Sequence, residues 1–136
     1  RDSGLDICCL RIGNVAGADA LLKHLRTLQS RPIEQYSDGL GPIRSYIGPV
    51  DLCDVLETLA THAGPLPPAL NIATPKPVYM ADLADAAGID WHYTPATSPP
   101  HLQRITIATG TLATLHAFEP DASQPTNIVA QLTDLT

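Results

Sequence analysis

The sequence has 136 residues, with 8 Lys and Arg against 14 Asp and Glu and a formal net charge of −6. This acidic balance argues against a nucleic-acid partner and against an anionic membrane surface, because both are recognised by clustered basic residues. With 44% hydrophobic and 16% charged residues, the composition is typical of a folded chain, and its apolar runs are too short for a transmembrane helix.

The cysteines place limits on redox and metal chemistry. Cys8, Cys9 and Cys53 are the three cysteines, and they form no C-x-x-C pair. Neither a disulfide framework nor a zinc site is therefore indicated. We expect reduced thiols, a cytoplasmic location and no metal site.

The first third of the chain predicts a strand followed by a helix. The apolar run at residues 5–12 predicts a strand buried on both faces, as in a parallel sheet, and Gly13 and Asn14 end it. Asp19 is placed to cap a helix in which leucines recur at helical spacing. Pro32 stops that helix.

The middle of the chain predicts two strands and the strongest helix. Residues 33–36 predict a short strand and residues 37–42 a turn. Residues 43–47 alternate apolar and polar side chains, which predicts a second strand. Apolar residues then recur at i, i+3, i+4, i+7 and i+8 across residues 52–63, with Asp51 at the start, which predicts an amphipathic helix.

The last part of the chain continues the alternation. Residues 69–73 predict a second buried strand, and residues 80–87 predict a short helix ended by Gly88. The weaker signals are short strands at 90–93 and 105–107 and helices that begin at Thr109 and Asn127. Strands interleaved with helices predict the α/β class.

Two polar residues are candidates for ligand binding. In open α/β sheets ligands bind beyond the carboxyl ends of strands, where Asn14 could donate and accept hydrogen bonds; the alternative is an asparagine that caps a turn. Arg44 could bind a phosphate with its planar guanidinium; the alternative is a surface arginine paired with Asp38 or Asp51. The pattern alone leaves the role of Asn14 open and favours the ion pair for Arg44.

Several short motifs resemble, in the same order, those of the NAD(P)-dependent epimerase/dehydratase family of extended short-chain dehydrogenases/reductases. Residues 10–17 resemble L-R-x-x-N-V-Y-G-P, residues 36–47 resemble G-D-G-x-x-x-R-D-Y-I-H-V, and residues 70–73 resemble the N-I-G or N-I-A strand. Asp51–Leu52, Met80–Gly88 and Thr109–Leu115 match further short segments of the family. The resemblance is collinear over residues 4–118.

The resemblance implies a fold and a pair of site residues. It implies the last strands of a Rossmann-like parallel sheet, near residues 5–13 and 69–73, and a small mixed α/β substrate-binding lobe from the remainder of the single 1–136 fragment. It also implies that Asn14 contacts the nucleotide diphosphate of a substrate and that Arg44 binds its phosphates. The family's G-x-x-G-x-x-G unit, which binds NAD or NADP, and its Tyr-x-x-x-Lys pair do not occur in this sequence. We therefore expect no catalytic and no cofactor-binding residue here.

The leading expectation is the C-terminal substrate-binding part of an NAD(P)-dependent oxidoreductase that acts on a sugar nucleotide or a related hydroxyl substrate. Such a part would be inactive alone and would need the N-terminal domain or a homo-oligomer partner. One alternative is a non-catalytic truncated relative that senses a ligand or binds a protein, and another is an unrelated small α/β domain. Ala16 and Ala18 stand where the family has tyrosine and proline, which leaves a smaller substrate open.

Overall fold

The structure, a computed structural model, describes Gly4, residues 6–24 and residues 30–133. Its strands are β1 (Cys9–Ile12), β2 (Asn14–Val15), β3 (Arg31–Gln35), β4 (Ile43–Arg44), β5 (Tyr46–Ile47), β6 (Ala69–Ile72), β7 (Val78–Tyr79), β8 (Trp91–Pro95) and β9 (Arg104–Ile105). Its helices are α1 (Pro49–Thr61), α2 (Met80–Ala86) and α3 (Pro125–Ala130), with 3₁₀ turns at Leu22–His24 and Leu112–Thr114. The predicted α/β class is confirmed.

Parallel pairing dominates the sheets. β1 pairs with β6, β2 with β5, and β3 with β8, all in parallel, while β4 lies between a parallel β9 and an antiparallel β7. The register of the first pair runs from Cys9 opposite Ala69 to Ile12 opposite Ile72. The two segments that the resemblance assigns to a Rossmann-like sheet are therefore direct neighbours.

β1 is less buried than the sequence predicts. Leu10 packs against the core, whereas Cys9 and Arg11 are exposed and Ile12 is 44% exposed. A strand is buried on both faces only when a layer covers each face. In the described chain the residues of α1 cover one face, so the prediction of a doubly buried strand is wrong for this segment.

α1 is the helix that the apolar spacing predicts. Val55 and Leu59 are buried and Leu52 packs beside them, but Leu56 is 41% exposed and Ala60 is exposed. The buried stripe is thus narrower than the predicted face, because a single sheet layer supports the helix. α2 is also confirmed, and the chain leaves it through Gly88 in the left-handed region at φ +65°.

The helix predicted from Asp19 begins as expected. The Asp19 carboxylate accepts the N–H groups of Leu21 at 3.0 Å and Leu22 at 3.2 Å, which is a capping arrangement. The described residues that follow form only the 3₁₀ turn at Leu22–His24. The remainder of the predicted helix, residues 25–29, lies outside the described residues.

Two other predicted elements differ from the observed ones. The strand predicted at residues 43–47 is divided at Ser45, because β4 pairs with β7 and β9 whereas β5 pairs with β2. The helix predicted from Thr109 is a single 3₁₀ turn, Leu112–Thr114. Leu112, Leu115 and Phe118 pack against the core of α1 and β6, so their spacing reflects the packing of an irregular segment.

The core has two apolar clusters. The first, around α2, contains Ala16, Leu21, Leu22, Ile33, Tyr46, Val78, Ala81, Leu83, Ala84 and Ile128. The second, between α1 and the β1–β6 pair, contains Ile47, Val55, Leu59, Leu70, Ile72 and Leu112. No helix within the described ranges is long and apolar enough to cross a membrane.

Candidate functional site

A cleft of about 320 Å³ opens at the junction of β1 and β2, where the chain stops pairing with β6 and begins to pair with β5. Gly13 donates its N–H to Ile72 of β6 at 2.9 Å, and the next residue, Asn14, donates its N–H to Ser45 at 2.9 Å. The strand therefore ends its contact with β6 and begins its contact with β5 within one residue. The cleft is lined by Ile12, Gly13, Asn14, Arg44, Ser45, Ile105 and Ile107.

The close approach of two backbones explains the glycine at this crossing. A Cβ atom at Gly13 would lie 2.8 Å from the carbonyl oxygen of Ser45, which is too close for a carbon atom that is not bonded to it. The absence of a side chain at Gly13 therefore allows β2 to lie beside β5, and this pairing places Asn14 on the cleft wall.

Asn14 and Arg44, the two residues singled out by the sequence, both line this cleft. The Asn14 side chain is half-buried, and its carboxamide makes no hydrogen bond to any described residue. A turn-capping asparagine would use its side chain on a backbone group, so that alternative is wrong. The carboxamide instead offers two donors and an acceptor at the cleft wall.

The Arg44 guanidinium is held by carbonyl groups. Nη1 donates to the carbonyl oxygens of Ile43 at 2.8 Å and Gln103 at 2.7 Å, and Nη2 donates to that of Leu102 at 3.1 Å. No carboxylate within the described ranges forms an ion pair with it. The expected ion pair with Asp38 or Asp51 is thus wrong, since both carboxylates bind other groups.

Asp38 and Asp51, the two residues expected to pair with Arg44, accept hydrogen bonds from glutamine side chains instead. Asp38 accepts two hydrogen bonds from Nε2 of Gln103, at 3.0 and 2.8 Å, and these bonds hold the pKa of the Asp38 carboxyl below its ordinary value. Asp51 accepts a bond from Nε2 of Gln131 at 2.8 Å. Arg44 therefore forms no direct ion pair with a described carboxylate, although the Tyr36 hydroxyl interacts with both Arg44 and Glu34.

The segment at residues 97–103 supplies two of the carbonyl groups that hold Arg44 and contacts Glu34, and the sequence did not predict these contacts. Nδ1 of His101 is hydrogen-bonded to Oε1 of Glu34 at 2.8 Å, and Thr97 donates its N–H to the same carboxylate at 3.3 Å. The bond from His101 is the main reason that the pKa of Glu34 is lowered. These contacts join Glu34 to residues that lie more than 60 positions later, in a proline-rich loop. Because that loop has no periodicity, no pattern in the sequence predicts the contacts.

Tyr46 contributes to the fold beneath the cleft. Its side chain is 1% exposed, and its hydroxyl donates to Oδ2 of Asp19 at 2.8 Å. Burial, followed by the negative charge of Asp19, raises the pKa of Tyr46 well above its ordinary value. A phenol in this setting keeps its proton at neutral pH and cannot serve as a tyrosinate base.

The one glycine pair that resembles part of a dinucleotide-binding turn does not lie between a strand and a helix in the described chain. A pyrophosphate is bound by a glycine-rich turn between a strand and the N-terminus of a helix. The closest sequence here, Gly39-Leu40-Gly41, lies in the turn between the two strands β3 and β4, with Gly39 at φ +78°. Nor do any three histidine, cysteine or acidic side chains of the described chain come together as a metal-binding group.

The fold can be compared with proteins of known structure. No protein-family model matches the sequence, and no curated protein matches it. The solved structures it resembles include a UDP-N-acetylglucosamine 4-epimerase from Methanobrevibacter ruminantium in complex with UDP-N-acetylmuramic acid (19% identity, TM-score 0.64, 99% of this chain and 49% of that one). A UDP-glucose 4-epimerase from Bifidobacterium longum in complex with NAD⁺ and UDP is similar at 18% identity and TM-score 0.65, over 98% of this chain and 49% of that one.

A dTDP-glucose 4,6-dehydratase from Bacillus anthracis in complex with NAD gives 16% identity and TM-score 0.61, over 98% of this chain and 46% of that one. The chain thus spans about half the length of the structures it matches. The alternative of an unrelated small α/β domain is wrong at the level of the fold. The chain has the Rossmann-like α/β fold of about half of these epimerase and dehydratase structures, which is the fold that the motifs predicted.

Proposed function

We propose that this chain is the C-terminal substrate-binding part of an NAD(P)-dependent epimerase/dehydratase-like oxidoreductase that acts on a sugar nucleotide or a related hydroxyl substrate. In this proposal Asn14 and Arg44 bind the diphosphate of the substrate. The segment that binds NAD or NADP and carries the Tyr-x-x-x-Lys pair belongs to an N-terminal part of the protein, so the 136 residues alone are not a catalyst and need that part or a homo-oligomer partner.

One observation carries the proposal: Asn14, whose carboxamide is unpartnered, and Arg44, which forms no direct ion pair among the described residues, line the same cleft. A guanidinium binds phosphate oxygens through directed, charge-assisted hydrogen bonds. The side chain of Asn14 can donate to a second oxygen of the same diphosphate. The comparisons support the choice of ligand, since several of the similar structures hold UDP or a UDP-sugar. Free cysteines also support a cytoplasmic location.

The direct test is a titration of the chain with UDP, followed by calorimetry or NMR. We expect a dissociation constant of roughly 1 mM or lower for the unmodified chain. Asn14→Ala and Arg44→Gln should each weaken binding by about tenfold, the scale of a hydrogen bond to a charged group. Arg104→Gln is the matched control, because Arg104 is exposed on the neighbouring strand and does not line the cleft.

Two results would count against the proposal. If Arg104→Gln weakens UDP binding as much as Arg44→Gln, the attraction depends on net charge and not on the cleft. If the chain binds NAD or NADP with micromolar affinity, the assignment of the dinucleotide site to another part of the protein is wrong. Uridine serves as the uncharged reference ligand, and its binding should not respond to Arg44→Gln.

A second candidate function is a non-catalytic module that binds a protein. The observation in its favour is the surface of β1: Ile7 is 59% exposed, Ile12 is 44% exposed, and β1 has a paired strand on one edge only among the described residues. Open strand edges with apolar residues favour pairing with another chain. The coding sequence before Arg1 separates the two functions, since the enzyme proposal requires a G-x-x-G-x-x-G and a Tyr-x-x-x-Lys motif in frame.

A further inference from the structure

We infer that Asp38 and Gln103 are positioning residues that hold the guanidinium of Arg44, a residue that lines the cleft, in a fixed orientation for ligand binding. The inference rests on the proposed function, since it concerns the same anion site. Neither residue lines the cleft, so neither is assigned a contact with the ligand. Each acts through Arg44.

The donors of Arg44 show how the guanidinium is oriented. A guanidinium has five N–H donors. Both donors of Nη1 are used, on the carbonyls of Ile43 and Gln103, and one donor of Nη2 is used on the carbonyl of Leu102. The donor on Nε and the second donor on Nη2 remain for a ligand or for the Tyr36 hydroxyl, which also interacts with Arg44. The three bonds to carbonyl groups restrict the orientation of the guanidinium.

Gln103 is itself fixed at both of its polar ends. Its carbonyl oxygen accepts the N–H of Ile43 at 2.7 Å as well as the bond from Arg44. Its carboxamide donates to both oxygens of Asp38. Asp38 in turn accepts the N–H of Leu40 at 3.0 Å within the turn that ends β3. The carbonyl that orients Arg44 is therefore held between two parts of the chain.

This arrangement has a chemical advantage over an ion pair. Carbonyl dipoles orient the guanidinium without cancelling its charge, while the nearby negative charge of Asp38 is directed at Gln103. Arginine has many rotamers, and ordering them during binding weakens the affinity for a ligand. When Asp38 and Gln103 fix the orientation in the free protein, the ligand meets an arginine that is already ordered.

The test combines a ligand titration with a signal from Arg44 itself. UDP affinity is measured for the unmodified chain, Asp38→Ala, Arg44→Gln and the double variant. Asp38→Ala should weaken binding by about fivefold, on the scale of one released side chain. It should have no further effect when Arg44 is already glutamine. Asp38→Asn keeps one acceptor for Gln103 and should restore part of the affinity.

The second measurement uses the free protein. The Nε–H resonance of Arg44, assigned by its absence in Arg44→Gln, should be sharp in the unmodified chain and broadened by exchange with water in Asp38→Ala. Asp51→Ala is the control: it removes the same kind of carboxylate–glutamine contact, with Gln131, away from the cleft. It should leave both the UDP affinity and the Arg44 resonance unchanged.

The outcomes separate the two proposals. If the unmodified chain binds no UDP, the proposed function fails, and the Arg44 resonance alone decides whether Asp38 positions the guanidinium. If the chain binds UDP but Asp38→Ala changes neither the affinity nor the resonance, the positioning role is overturned and the proposed function stands. If Asp38→Ala weakens UDP binding equally whether residue 44 is arginine or glutamine, the positioning role is also overturned. The effect of Asp38 then does not pass through Arg44.

Discussion

The carboxamide of Gln131 caps α1, a helix that begins at Pro49, far earlier in the chain. Its Oε1 accepts the N–H groups of Val50 and Asp51, each at 3.0 Å, and its Nε2 donates to the Asp51 carboxylate at 2.8 Å. α1 has a glycine at its N-cap position, Gly48, which offers no side chain to these N–H groups. Gln131 therefore satisfies two of the N–H groups that α1 leaves unpaired at its start, where Pro49 has no N–H to satisfy.

We predict that Gln131→Ala destabilises the chain by about 2 kcal/mol. Loss of a helix N-cap costs about 1 kcal/mol, and loss of the part-buried bond to the Asp51 carboxylate adds about 1 kcal/mol. For a chain of this length the melting temperature should fall by about 8 °C. Urea unfolding followed by circular dichroism measures the free energy. Gln124→Ala is the matched control, because Gln124 is exposed and its side chain bonds to no described residue.

A double-mutant cycle with Gly48 gives this prediction a sharper form. The backbone of Gly48, at φ −71° and ψ 154°, is allowed for every residue, but a Cβ atom there would overlap the Gln131 carboxamide. Gly48→Ala alone should therefore displace Gln131 and cost up to the same about 2 kcal/mol. When residue 131 is already alanine, Gly48→Ala should cost nothing further. Strictly additive effects of the two substitutions would refute the reasoning.

Three further predictions follow from other contacts. Gly13→Ala should destabilise the chain by about 1–3 kcal/mol, since its Cβ would meet a backbone oxygen at 2.8 Å; Gly110→Ala, where a Cβ meets open space, should be neutral in the same urea unfolding experiment. The pKa of Tyr46 is higher in the folded state than in the unfolded state. The protonated phenol therefore contributes its full stabilisation below the unfolded-state pKa of about 10, and this contribution declines as the pH rises above that value. Tyr46→Phe should therefore lose stability less steeply between pH 9 and 11 (about one unit either side of that pKa) than the unmodified chain, and equal slopes would contradict this. An NMR titration should place the carboxyl of Glu34 below its ordinary pKa, and His101→Ala should move it upwards.

The sequence predicts those parts of the fold in which local pattern and packing agree. α1 has its apolar residues on one face and β6 is a short apolar run, and both appear where predicted. The division of the strand at Ser45 could not be predicted, because each half pairs with strands that are distant in sequence. The helix predicted from Thr109 failed because its leucines fill gaps against a sheet instead of forming a helical stripe.

The candidate site shows a similar limit. Asn14 and Arg44 were selected by resemblance to a family, and spacing alone favoured an ion pair for Arg44. The structure places both on one cleft. The roles of Asp38 and Gln103 depend on a contact across 65 residues, between a turn and a proline-rich loop. Neither segment has a periodicity from which such a contact could be predicted.

The carbonyl anchors of Arg44 also bear on how such a site can evolve. A carbonyl belongs to the backbone, so every amino acid at position 102 can supply the oxygen that Leu102 now supplies. The Leu102 side chain is 72% exposed and has no part in that bond. The residue type at position 102 can therefore change, or be selected for contact with a different substrate, while the Arg44 guanidinium keeps the same position. Under the proposed function, anion binding and substrate choice are thus open to separate change at neighbouring positions of one loop.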